Sequence, residues 1–140
     1  LLIGVDLIKD KALLDAAYDD PLGVTAAFNR NLLRHVNARL DADFSIADWR
    51  HVAFFNETAA RIEMHLEARR ELDVSWPAGT GRARRRFVAG ERIHTENSYK
   101  YSPQGFRTLL AEAGFADIRM WTDPRGWFGV FFARQGNTRT

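Results

Sequence analysis

The sequence predicts an α/β fold, with a sheet built from the two ends of the chain and an α+β region inserted between them. Three observations carry this. The chain opens on the dense apolar run LLIGV, closed by Asp6, which suits a strand buried on both faces of a parallel sheet. Helical spacing follows and then gives way to a period of two. The last stretch returns through a helix to two strand-like segments. A strand like LLIGV needs neighbours on each side, so the chain is expected to be the C-terminal part of a longer α/β protein. An edge strand or a helix lead-in would carry the same run.

The elements are predicted in order as follows. In DKALLDAAYDD, Leu13, Leu14, Ala17 and Tyr18 recur at helical spacing, with Asp10 as N-cap and Pro21 as terminator. In VTAAFNRNLLRHVNARL, Val24, Phe28, Leu32, Val36 and Leu40 fall at steps of four and are expected to form one apolar stripe. Thr25 or Asp20 begins that helix. Ser45 with Asp48 marks a short helix. HVAFFNE reads as a strand, and RIEMHLEA alternates, with Ile62, Met64, Leu66 and Ala68 on one face. PAGTG is a turn, and RARRRFVAGERIHTENSYKY reads as two strands around Ala89-Gly90. Ser102 and Pro103 start a helix that Gly114 ends, with Phe106, Leu109, Leu110 and Ala113 on its buried face. DIRMWTDPRGWFGVFFAR is a hairpin turning at Asp123 to Gly126, and the tail QGNTRT is expected to fray.

Composition narrows the function classes. The chain has 140 residues, 46% hydrophobic and 27% charged, as a soluble globular chain does. A net charge of +2 does not by itself imply a nucleic-acid partner. The absence of cysteine excludes disulfides and thiolate metal sites. Apolar runs are too short for a membrane span, and LLIGVDLIKD lacks a basic leader, so a cytoplasmic location with no membrane partner is expected. The histidines at positions 35, 51, 65 and 94 have no metal-ligand spacing, so no metal is expected. Arg82, Arg84, Arg85 and Arg86 cluster beside a glycine turn without interleaved aromatics, which favours a solvated hairpin over a nucleic-acid surface.

The segment IHTENSYKY places Glu96 and Ser98 as next neighbours on one strand face, with Thr95, Asn97 and Tyr99 on the other. A solvated strand face would look the same.

Four stretches together carry more. AYDDPLGVTAAFNRNLLRHVN, RIEMHLEAR, IHTENSYKY and MWTDP resemble, in order and over nearly the whole chain, the histidine-specific methyltransferases of ergothioneine biosynthesis. The resemblance implies the C-terminal portion of an S-adenosylmethionine-dependent L-histidine Nα-methyltransferase. It implies a class I, Rossmann-like sheet carrying an inserted α+β substrate-binding domain. Residues 1–11 would be one strand of that sheet, 12–101 the inserted region, 102–134 its helix and closing hairpin, and 135–140 a tail. The acidic-Gly-x-Gly loop of the family is absent, so S-adenosylmethionine is expected to be bound mainly by a region outside this chain, which alone would be inactive.

The resemblance also implies site residues. Tyr18 matches a tyrosine whose hydroxyl contacts the substrate carboxylate. Phe28 matches an aromatic of the pocket wall, and Met64 a methionine beside the imidazole. Glu96 and Ser98 match the pair that hydrogen-bonds the imidazole, while Asn97, Tyr99 and Tyr101 depart from some members. The chemistry suits the pair. An imidazole has two nitrogens at opposite edges, so a carboxylate can accept a ring N–H while a hydroxyl serves the other. Methyl transfer to an amine is a direct displacement that needs positioning more than acid–base help, so no catalytic base is assigned. Asp6, at the end of the opening strand, sits where open α/β sheets form their crevice. The alternative is a non-catalytic amino-acid-binding module, or one that self-associates through an exposed sheet edge.

Overall fold

The computed structural model describes residues 1–136. The elements run β1 (Leu2–Asp6), α1 (Lys11–Tyr18), α2 (Val24–Leu40), a 3-10 turn (Ile46–Asp48), β2 (Trp49–Asn56), β3 (Arg61–Ala68), β4 (Leu72–Ala78), β5 (Gly81–Phe87), β6 (Arg92–Tyr99), α3 (Pro103–Glu112), β7 (Phe115–Thr122) and β8 (Phe128–Gln135). Among the described residues they form sheets of order β1-β8-β7, β2-β3-β6 and β4-β5. The chain divides into two compact units. The first holds Leu1–Asp10, Glu57–Arg61 and the chain from Ser98 onward; the second holds Lys11–Asn56 and Ile62–Asn97.

In the first unit, α3 is built as its sequence directs. Ser102 Oγ accepts from Gly105 N at 3.0 Å, Pro103 follows, and Gly114 at φ 84° closes the helix. Phe106 and Leu110 are buried against Val5, Leu7, Phe131 and Ala133. Leu109 and Ala113, expected on that face, are exposed. The closing hairpin forms as predicted. Asp123 Oδ1 accepts from Trp127 N at 2.7 Å and Phe128 N at 2.9 Å, and Gly126 takes φ 66°. β8 reaches Gln135, paired with Phe115, one residue into the stretch expected to fray. Residues 137–140 of that tail lie outside the described residues.

The opening run departs from its expected parallel setting. β1 pairs antiparallel with β8, from Leu2 opposite Phe132 to Asp6 opposite Phe128. Its parallel contact is the isolated bridge of Leu7 to Tyr101. Val5 is buried under α3, whereas Leu2 is exposed, so the apolar run is covered at one end and not on both faces. At Gly4 the Phe128 ring lies close over the strand, and a Cβ there would meet it at 2.7 Å, so a larger residue would displace that ring.

In the second unit, Leu33, Trp49, Leu66, Ala68, Leu72, Val74 and Phe87 make one core and Leu14, Phe55, Ile62 and Met64 another. The Trp49 and Phe87 rings meet edge-on at 5.0 Å. β2 and β3 are joined by four residues, too few for a parallel crossover, so they form a hairpin. β4 is a strand beyond those expected from the sequence. It pairs with β5 as a hairpin and ends at Pro77-Ala78.

The stripe on α2 is corrected. Val24 is 65% exposed and Phe28 66%, and Leu32 and Leu40 are also exposed, while the helix buries Asn29 and Leu33. The reason is geometric. At 3.6 residues per turn, a step of four overshoots a turn by about 40°, so Val24 and Leu40 end about 160° apart. A strict step of four winds around the helix and does not define its buried face. The helix starts at Val24 after Gly23 at φ 70°, and Asp20, three residues before Gly23, serves its first amides: its carboxylate accepts from Val24 N at 3.0 Å and Thr25 N at 2.8 Å. Those backbone bonds, Thr25 first, hold its pKa at about 2.

Candidate functional site

β3 is the middle strand of its sheet and is buried on both faces. Ile62, Met64, Leu66 and Ala68 fill the cores, as alternation predicts. The opposite face is polar and buried too. Glu67 accepts from Arg50 Nε at 2.7 Å and Arg92 Nε at 2.8 Å. These two guanidiniums, Arg92 first, hold the Glu67 carboxyl below the usual range. His65 is sandwiched between the rings of Phe54, at 5.5 Å, and His94, at 4.5 Å. Burial pushes the His65 pKa down and the neighbouring His94 adds to this, against the pull of Glu63.

Glu63, His65 and His94 bring three potential ligand atoms within 4.8 Å of one another, which spacing in the sequence did not reveal. The imidazoles are stacked with 29° between their planes. Stacked rings hold their in-plane lone pairs in two nearly parallel planes, which disfavours both pointing at one ion, so no metal site is assigned.

On the other face, α1 and α2 pack against β2. α1 is only eight residues long, and such a helix is marginal by itself. It is tied down at Asp15, whose Oδ1 accepts from Phe55 N at 2.7 Å. Tyr18, its last residue, packs on the cluster of Leu14, Phe55, Ile62 and Met64. The structure therefore brings Tyr18 and Met64 together.

Phe28 and Glu96 are brought together elsewhere in this unit. They line a cleft of about 200 Å³ with Asn29, Asn31, Leu32, His35 and Thr95. Thr95 fixes that wall, its Oγ1 donating to the Met64 carbonyl at 2.9 Å. A larger opening of about 660 Å³ lies on α2 beside Phe28, Arg30 and Arg34. Phe28, which the stripe would have placed in the core, instead presents its ring to both openings.

Ser98 belongs to the first unit. Its Oγ accepts from Lys100 Nζ at 2.8 Å, and the same ammonium lies 3.0 Å from Asp6 Oδ2. Burial raises the Asp6 pKa, but bonds from Lys9 and Lys100 outweigh it and leave the carboxyl below its usual value. Lys100, 2% exposed, is a buried cation that sequence reading missed, since a lysine closing an alternating strand looks solvated. Asn29 and His51 were missed as well. Asn29 was hidden in the helix by its polar side chain.

The arginine hairpin is a salt-bridged surface. Arg82 pairs with Asp41 at 3.3 Å, Arg85 with Glu91 at 2.8 Å, Arg84 with Asp73, and Arg86 with Asp73 and Glu71. No helix among the described residues is long and apolar enough to cross a membrane.

Residues 1–135 match the family model described as histidine-specific, S-adenosylmethionine-dependent methyltransferase. The chain is 47% identical over 133 residues to the histidine N-alpha-methyltransferase of Mycolicibacterium smegmatis, covering 95% of this chain and 41% of that protein. It is 46% identical over 142 residues to the enzyme of the same name from Mycobacterium tuberculosis, with the same coverage. Ergothioneine biosynthesis protein 1 of Neurospora crassa is 31% identical over 125 residues, 87% of this chain and 13% of that protein. The chain thus spans about 41% of the length of the two bacterial relatives.

Proposed function

The chain belongs to the histidine-specific, S-adenosylmethionine-dependent methyltransferase family, and from that premise we propose that it is the substrate-binding part of an enzyme methylating the α-amino nitrogen of L-histidine, on the route to ergothioneine. In this reading, β1 and the β7–β8 hairpin belong to the class I methyltransferase sheet, and residues 12–101 form the inserted domain. The placement of β8 between β1 and β7 supports one sheet made from both ends of the chain.

The observation that carries the reading is the cleft shared by the Phe28 ring and the Glu96 carboxylate. An imidazole offers a flat apolar face and a ring N–H. Phe28 would cover the face and Glu96 would accept the N–H in a charge-assisted bond. An apolar side chain in the same place would bury Glu96 without a partner, which is the source of discrimination. Tyr18 would bind the substrate carboxylate through its hydroxyl. Met64 would supply adaptable apolar contact, while a role for Ser98, in the first unit, rests on the resemblance alone. These residues bind and orient, and none is assigned as a base.

S-adenosylmethionine supplies an electrophilic methyl on a sulfonium. The chain has no acidic-Gly-x-Gly loop after a strand, and its one Gly-x-Gly, Gly79-Thr80-Gly81, closes the β4–β5 hairpin. No residue here is therefore assigned to the cofactor.

The test is calorimetric titration of L-histidine into the protein extended to its relatives' full length. Glu96→Ala should weaken binding by about tenfold or more, the loss of one charge-assisted hydrogen bond. Unchanged binding removes Glu96 from the pocket. Methylation of another amino acid, with histidine inert, overturns the substrate.

A second reading, a self-associating module, rests on β1 standing at the end of its sheet. Light scattering that returns a monomer rules against it.

A further inference from the structure

We infer that Asn29 and His51 are positioning residues that set the place of Tyr18, an inference that rests on the substrate-site reading above. Asn29 is 2% exposed in the middle of α2, where a side-chain amide is costly unless bonded. Its Nδ2 donates to the His65 carbonyl at 3.0 Å and meets His51 Nδ1 at 3.0 Å. His51 Nε2 lies 2.8 Å from the Tyr18 carbonyl.

The proton positions follow from both ends of this chain of bonds. A backbone carbonyl can only accept, so the Asn29 atom facing His65 is the amide nitrogen. Its second hydrogen then points at His51 Nδ1, which must be the lone-pair nitrogen. The His51 proton is left on Nε2, where the Tyr18 carbonyl, again only an acceptor, requires it. Each assignment is demanded by a neighbour with no alternative role.

The consequence falls on Tyr18. It is the last residue of α1, and the carbonyls of a helix's last turn have no intrahelical partner. His51, on β2, satisfies the Tyr18 carbonyl and so pins the end of a short helix to the sheet. The ring of Tyr18 is then seated on the Met64 cluster by a fixed backbone, not by packing alone. A group that orders a binding hydroxyl before substrate arrives lowers the cost of binding. The effect should fall on substrate affinity more than on turnover.

The experiment uses the protein extended to its relatives' full length, with L-histidine as the varied substrate. His51→Phe keeps a flat ring and removes both bonds. His51→Gln keeps an N–H able to reach the Tyr18 carbonyl. Tyr18→Phe reports on the parent reading. His51→Phe should raise KM about tenfold with kcat changed less than about threefold, and His51→Gln should recover most of the loss. If Tyr18→Phe raises KM and a folded His51→Phe does not, the inference is overturned and the substrate site stands. If Tyr18→Phe leaves KM unchanged, both fall. Nitrogen NMR of the unmutated protein gives a readout independent of folding in the variants. A lone-pair signal at His51 Nδ1 supports the inference, and a protonated Nδ1 overturns it.

Discussion

Lys100 and Asp6 form a 3.0 Å ion pair in which the lysine side chain is 1% exposed and the aspartate 31%. A buried pair is costly to break from one side, because the surviving charge loses its counter-charge without regaining water. Asp6→Asn should therefore destabilise the protein by about 3 kcal/mol, and Lys100→Met, which refills the space with an apolar chain, by less. Denaturant midpoints decide this, and the reverse order would show that the pair is not the source. The Asp6 carboxyl titrates below its usual value in the folded state. Its contribution is thus present above the ordinary carboxylate pKa and is lost as pH falls through the lowered one. Asp6→Asn should flatten that acid limb.

His65 gives a second pH dependence in a different window. Its folded pKa lies below 6.5, chiefly because of burial. Below pH 6.5 the unfolded chain takes a proton that the folded protein resists, so stability is complete above that pH and declines as pH falls. His65→Phe should remove this decline while keeping the stack with Phe54. Midpoints measured from neutral to mildly acidic pH check it, and an unaltered slope would assign the titration to another group.

Phe28 and Leu33, five positions apart on α2, should behave oppositely. Leu33 is in the core, so Leu33→Ala should cost about 2–5 kcal/mol. Phe28 is exposed, so Phe28→Ser should change stability by less than about 0.5 kcal/mol while weakening histidine binding. A large loss of stability at Phe28 would make it a packing residue and remove it from the pocket wall.

The arginine hairpin should not bind nucleic acid. Each of Arg82, Arg84, Arg85 and Arg86 already faces a carboxylate. Titration with duplex and single-stranded oligonucleotides should show no salt-dependent binding, and binding that tightens as salt is lowered would restore a nucleic-acid role.

Where a local rule acts alone, sequence and structure agree. The Ser102-Pro103 start and Gly114 stop of α3, the Asp20 cap of α2, the Asp123 turn and the buried face of Ile62, Met64 and Leu66 are all readable within a few residues, because capping, turn geometry and strand alternation are set by neighbouring backbone. The family was readable for another reason: four motifs lie in order along the chain, and the family model matches residues 1–135. Burial of polar groups was not readable. Asn29, Glu67, His65 and Lys100 carry side chains that sequence alone assigns to water. Three are buried because partners distant in the chain satisfy them: His51 for Asn29, Arg50 and Arg92 for Glu67, Asp6 for Lys100. His65 is buried by the rings of Phe54 and His94 stacked on it, with its Nδ1 unbonded among the described residues. The local pattern of a chain states which groups need partners. Whether those partners arrive, and hence which polar side chains are withdrawn from water, is decided when distant segments fold together.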